Sequence, residues 1–146
     1  MFNDILFVCI GNICRSPMAE AFFRKQLLEI RPEVKITSAG IQALVNYPAV
    51  LETQHVLKKI EIDASNHRAR QLTEEMVLNA DLILVMEKFH KREVEIAFPF
   101  AYGKVFLLGK WSGFEISDPY EQSLEAFEEC LDLVQRAWVD WKIRIC

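Results

Sequence analysis

Histidine, cysteine, glycine and proline are all scarce in this chain of 146 residues, at three, four, five and five copies. The glycines and prolines stand singly, so there is no linker, repeat or low-complexity tract, and the length fits one ordinary domain spanning residues 1–146. The cysteines, Cys9, Cys14, Cys130 and Cys146, lack metal-ligand spacing and a secretory context, so free thiols are expected and neither metal nor cofactor is called for. A surplus of basic residues is also missing. The formal net charge of −4 argues against nucleic acid or an anionic membrane as the main partner. No apolar run approaches the length of a membrane span, so no membrane insertion is expected. The short stretch Ile5–Val8 has acidic Asp4 ahead of it and no small-residue cleavage site, which reads as cytoplasmic.

What is present is an alternation of apolar strand-like runs with helical patterns, and hydrophobic residues make up 51% of the chain, enough for a real core. Ile5 to Val8 precedes a helix expected from about Pro17 to Ile30, with Ala19, Phe22, Phe23, Leu27 and Ile30 on one face. Val34 to Thr37 reads as a strand, followed by a helix from about Pro48 to Ile60. Thr73 caps a short helix, Leu82 to Met86 is a buried strand with a helix behind it through Phe98, and Val105 to Leu108 is the last strand. Leu124, Phe127, Leu131, Val134, Trp138 and Trp141 recur at steps of three and four, one apolar stripe on a long helix. These tryptophans are expected to pack the core and not to form a binding platform. His55 and His90 fall in amphipathic helices and are expected to be solvated.

The most specific segment is Cys9-Ile10-Gly11-Asn12-Ile13-Cys14-Arg15, followed by Ser16-Pro17. It lies between the first strand and the first helix, which sets a thiol and a guanidinium at the two ends of one tight turn. Successive backbone N–H groups in such a turn can converge on one point, and the helix behind adds the positive end of its dipole. That suits an oxyanion such as phosphate. Arg15 offers a planar fork that can grip two phosphate oxygens at once. The same field stabilises a sulfur anion, so Cys9 is the candidate nucleophile. Ser16 is expected to be the N-cap and Pro17 the first helical residue. Ser16 is also placed to donate its hydroxyl to the thiolate. A cysteine after a buried strand is often only a small core residue. The strand before it, the Gly and Asn within the turn and Arg-Ser-Pro opening a helix favour chemistry here.

In these residues the chain resembles the low-molecular-weight protein tyrosine phosphatases, whose phosphate loop reads C-x5-R-S. Further landmarks follow in order: Ser38-Ala39-Gly40, His67-Arg68-Ala69-Arg70-Gln71, Asp81-Leu82-Ile83-Leu84 running into Met86-Glu87-Lys88, and Asp118-Pro119-Tyr120. The resemblance thus covers essentially the whole chain. Met86-Glu87-Lys88 and the unpaired tyrosine of Asp118-Pro119-Tyr120-Glu121 look like the bacterial branch associated with capsule and exopolysaccharide export. The fold expected is α/β and flavodoxin-like. Its four-stranded parallel sheet has the order 2-1-3-4 with helices on both faces, and the Cys9 loop sits at the carboxyl edge where the winding reverses. The loop after strand four, Gly109 to Gln122, leaves the same edge and can carry Asp118 over the phosphate.

The resemblance implies hydrolysis of protein phosphotyrosine through a cysteinyl-phosphate intermediate. Cys9, Arg15 and Asp118 are the catalytic groups, and the phosphate is held along Ile10, Gly11, Asn12, Ile13, Cys14, Arg15 and Ser16. Asp118 protonates the departing phenolate-like oxygen and then takes a proton from attacking water. Asn12 bonds to Ser16 and to His67, which supports the loop and is neither acid nor base. Ile13, Leu44, Tyr47 and Tyr120 wall the slot for the phenyl ring. Cys9 and Cys14 can join in a reversible disulfide that shields the nucleophile. The branch implies a partner, an autophosphorylated bacterial tyrosine kinase controlling polysaccharide export.

Other chemistries have their own discriminators. Arsenate reductases on this fold need closely spaced resolving cysteines, and no cysteine lies between Cys14 and Cys130. Protein arginine phosphatases carry threonine where Ile13 stands. A phosphocysteine-carrying transporter subunit needs neither Arg15 nor Asp118, and a non-catalytic phosphotyrosine-binding module does not need Asp118.

Overall fold

The computed structural model describes all 146 residues. In chain order its elements are β1 (Asp4–Cys9), α1 (Arg15–Leu28), β2 (Lys35–Gly40), α2 (Leu51–Lys58), α3 (Glu74–Asn79), β3 (Leu82–Val85), α4 (Lys88–Ala97), β4 (Val105–Leu107) and α5 (Leu124–Ile145). Single 3-10 turns at Pro99–Ala101 and Lys110–Ser112 flank β4. The four strands form one parallel sheet in the order β2-β1-β3-β4, the topology expected from the alternating pattern. No helix is long and apolar enough to cross a membrane.

Past Asp4 the strands β1, β3 and β4 are wholly apolar because both faces of the sheet are covered, whereas edge strand β2 carries Lys35, Thr37 and Ser38. In β1 the side chains of Ile5, Phe7 and Cys9 join the larger cluster under α1, α2 and α5, while Leu6 and Val8 join the smaller one under α3 and α4. β3 divides in the same period of two, Leu82 and Leu84 to one side and Ile83 and Val85 to the other. Phe7 meets Phe23 of α1 edge-on at 4.9 Å, and Phe23 meets Trp138 of α5 at 5.1 Å. This aromatic chain fixes α1 against the strand that precedes it, with each ring contributing on the order of 2–3 kcal/mol of burial. Trp141 is buried and its Nε1–H donates to the Leu108 carbonyl at 2.8 Å. The tryptophans of α5 are core residues, as their spacing implied.

Several boundaries and burials differ from expectation. α1 ends at Leu28, and Ile30 lies beyond it in a turn, about half exposed, because the chain must bend there toward β2. Leu124, the first residue of α5, is also exposed, whereas Phe127 in the same turn is fully buried. β2 continues through Ser38, Ala39 and Gly40, and α2 is shorter than expected at both ends. Ser16 is not the N-cap of α1: the helix begins at Arg15 behind Cys14, and Ser16 and Pro17 are its second and third residues. Pro17 remains tolerable because N–H groups in a first turn have no intrahelical partner. His90 is fully buried and not solvated, whereas His55 is exposed. Thr73 does cap α3, accepting from the Met76 amide.

Candidate active site

The segment between β1 and α1 is shaped by where its carbonyls go. Those of Cys9, Ile10, Gly11 and Ile13 accept bonds from the amides of Ile41, Gln42, Leu44 and Val50. That of Asn12 accepts from His67, and that of Cys14 from Met18 N–H and the Thr53 hydroxyl. All these partners lie outside the loop. No peptide is cis, and in a trans unit the N–H points opposite to the C=O. The six amides from Ile10 to Arg15 therefore face inward, and none of them donates to protein. Six convergent donors at a helix start form a cradle for an oxyanion. Gly40 is required where β2 passes beneath, because a Cβ there would run into the Ile10 carbonyl.

Asn12 holds the sharpest bend, with φ of 59° in the left-handed region where asparagine is tolerated. Its side chain is fully buried and its orientation follows from its partners. The Arg70 amide can only donate, so it faces Oδ1, at 2.9 Å. Nδ2 then donates to Ser16 Oγ at 2.7 Å and to Ser38 Oγ at 2.9 Å. Ser16 Oγ accepts from Asn12, which leaves its own hydrogen to point at Cys9 Sγ, 2.9 Å away. This demand explains why Ser16 does not cap the helix. Ser38 passes its proton on toward Glu20. His67 Nε2 lies 2.7 Å from the Asn12 carbonyl, so that nitrogen carries the hydrogen. Asn12, Ser16 and His67 form one network around the loop.

Arg15 is only 2% exposed. Its Nη1 spends both hydrogens within the protein, on Glu87 Oε2 at 2.6 Å and on the Ile116 carbonyl at 2.8 Å. Nε and Nη2 remain as a two-pronged edge for an incoming anion. Asp118, about half exposed on the loop between β4 and α5, places Oδ2 3.8 Å from Nη2. Its Oδ1 accepts the Tyr120 amide at 3.0 Å and its carbonyl accepts from Gln122, so the turn around buried Pro119 presents Oδ2 as the free oxygen.

A cavity of about 220 Å³ opens over this arrangement. It is lined by Cys9, Ile10, Gly11, Ile13, Cys14 and Arg15 together with Gln42, Leu44, Asp118 and Tyr120. Asn12 and Ser16 lie beneath it, fully buried. Tyr47, expected as a wall, is absent from the lining: its segment pairs by backbone with Leu44 and Ala69, and its ring stands exposed. All four cysteines are free thiols. Burial pushes the Cys14 thiol well up, helped by the negative charges of Asp118 and Cys9, and pushes Cys130 up to about 12. Neither is suited to act as the attacking thiolate.

Sequence reasoning did not single out Glu87, Gln42, Ser38, Glu20 or Arg70. Glu87 was visible only as part of the Met86-Glu87-Lys88 landmark, because nothing local tells that a helix-capping carboxylate reaches an arginine 72 positions earlier. Burial and Arg15 together lower the pKa of His90 to about 4, against an opposing pull from Asp118, so its ring is neutral.

Fold and site together define a parallel α/β protein with an oxyanion-binding loop at the carboxyl end of its first strand, the position where ligands bind in such sheets. Residues 4–145 match the family model described as low molecular weight phosphotyrosine protein phosphatase. The chain is 49% identical over 145 residues to the "Probable low molecular weight protein-tyrosine-phosphatase EpsP" of Ralstonia nicotianae, covering 99% of this chain and 97% of that one. Among solved structures, the tyrosine phosphatase Wzb from Escherichia coli K30 in complex with sulphate superposes with a TM-score of 0.93 at 37% identity, covering all of both chains. Vibrio vulnificus Wzb in complex with benzylphosphonate gives 0.93 at 41% identity, covering 99% of this chain and 100% of that one. The chain belongs to the low-molecular-weight phosphotyrosine protein phosphatase family and is a protein-tyrosine-phosphatase.

Proposed function

We propose that the enzyme hydrolyses protein phosphotyrosine by passing the phosphoryl group through Cys9. The observation that carries this reading is the ring of six inward amides around a sulfur that already receives the Ser16 hydroxyl. Sulfur attacks phosphorus while the bond to the tyrosine oxygen breaks, and the three equatorial oxygens rest on the loop amides and on Nε and Nη2 of Arg15. Asp118 Oδ2 gives a proton to the leaving oxygen. In the second half, Asp118 takes a proton from water as it attacks the cysteinyl phosphate, and sulfur leaves as a thiolate held by Ser16.

The cavity admits an aromatic ring between Leu44, Tyr120 and Ile13, leaving the substrate's peptide across the mouth. Bound benzylphosphonate in the Vibrio vulnificus relative supports an aryl phosphate fit here. The reading includes a cytoplasmic location, where thiols stay reduced, and a Cys9–Cys14 disulfide as a reversible shield. It also includes an autophosphorylated bacterial tyrosine kinase of polysaccharide export as substrate, on the strength of branch likeness. The purified protein should turn over phosphotyrosine peptides and leave phosphoserine, phosphoarginine and arsenate essentially untouched. Preference for phosphoarginine or arsenate would reassign the chemistry.

A further inference from the structure

We infer that His90 is a positioning residue for Arg15, acting through Glu87, an inference that rests on the phosphatase reading above. His90 is the third residue of α4 and is 0% exposed. Its Nδ1 accepts the Glu87 backbone N–H at 3.1 Å, so the neutral ring carries its hydrogen on Nε2. That Nε2 is the one buried side-chain nitrogen or oxygen in the protein without a hydrogen-bond partner, and it faces Glu87 Oε2 at 3.7 Å. The same oxygen receives Arg15 Nη1 at 2.6 Å. One imidazole thus bonds the backbone of the residue that fixes the guanidinium through Nδ1 and sets its Nε2–H edge beside that residue's carboxylate, 3.7 Å away.

A buried donor left short of a bond calls for an explanation, since an apolar ring would fill the same space without that penalty. The explanation lies in charge and aim. Besides Glu87, the charged groups acting on His90 are Arg15 from α1 and Asp118 from the β4–α5 loop. A neutral ring adds no second cation beside Arg15. Its N–H edge keeps Oε2 turned toward Nη1, so that Nε and Nη2 alone are offered to the phosphoryl group. If Glu87 swung away, Nη1 would keep only the Ile116 carbonyl, and the fork could pivot about that single bond off the amide ring.

The test uses p-nitrophenyl phosphate as substrate and inorganic phosphate as competitive inhibitor, on wild type, His90→Phe, Glu87→Gln and the double variant. His90→Phe keeps a flat ring, somewhat larger than imidazole, and removes both nitrogens. It should lower kcat/KM and weaken phosphate inhibition, each by roughly 10- to 100-fold, the scale of an ångström-level misplacement. The double variant should be no worse than Glu87→Gln alone, because both act on one arm. Unchanged constants in a folded His90→Phe, or losses that multiply in the double variant, would overturn the inference. Should His90→Phe fail to fold, His90→Asn serves: it can still accept from the Glu87 N–H but has no donor at the Nε2 position. A smaller loss on both readouts supports the role, and wild-type constants refute it. Absence of turnover by the wild type itself would instead remove the phosphatase reading.

Discussion

Replacing Asp118 by asparagine isolates the proton transfer from everything else at the site. The side chain is half exposed, its Oδ1 accepts a single bond from the Tyr120 amide, and its Oδ2 lies 3.8 Å from Arg15 without bonding it. Asparagine keeps the Oδ1 acceptor and the turn at Pro119, so stability should change by no more than about 0.5 kcal/mol, as at an ordinary surface position. Catalysis is a different matter. General acid assistance is worth roughly 10²- to 10⁴-fold, and it is needed only when the leaving oxygen is basic. With phenyl phosphate or a phosphotyrosine peptide, kcat/KM, which reports transfer to Cys9 alone, should fall by about that factor; with p-nitrophenyl phosphate, whose leaving group departs without a proton, the loss should shrink to about 10-fold or less. Removing a carboxylate beside Arg15 should also tighten competitive inhibition by inorganic phosphate. A series of aryl phosphates, assayed well below saturation in wild type and variant, gives the slope of log kcat/KM against leaving-group basicity. The slope should be shallow in the wild type and steep in the variant. Equal losses across the series would show that the proton comes from elsewhere.

Other outcomes follow from the same geometry. Gly40→Ala puts a Cβ into the Ile10 carbonyl, so the loop must shift; thermal melting should show about 1–3 kcal/mol of destabilisation and phosphate affinity should fall with it. The pKa of His90 is about 4 in the folded protein against 6.5 for a free imidazole, so the unfolded chain binds the extra proton between those values. Stability should therefore be lost as pH falls from about 6.5 to 4, by on the order of 3 kcal/mol when complete. Urea titrations across that window should show a shallower pH dependence in His90→Phe than in wild type.

Much of the architecture is legible in the sequence because its causes are local or periodic. Four apolar runs separated by helical patterns leave few ways to bury both faces of a parallel sheet, and Cys9 to Arg15 can converge on one point only as a strand-to-helix turn. Where several demands meet on one residue, local signals mislead. Ser16 and Pro17 announce a helix start, yet Ser16 Oγ is claimed by Asn12 and Cys9, so the helix begins at Arg15 instead. His90 belongs to an amphipathic pattern, and only its Glu87 contacts and the nearby Arg15 and Asp118 account for its environment. Glu87 itself is hidden for the same reason, since its partner lies on another element. Tyr47 sits near Leu44 in sequence, but backbone pairing with Ala69 turns its segment away from the cavity.

The central claim is that the phosphoryl group rests on the Cys9 sulfur between its arrival and its departure. Rapid-quench mass spectrometry during turnover of a phosphotyrosine peptide should find an adduct of about 80 daltons, one added HPO₃, on the peptide containing Cys9. The adduct should be absent in Cys9→Ser, which should still bind inorganic phosphate. Release of phosphate at full rate with no such adduct at any time point would contradict the account.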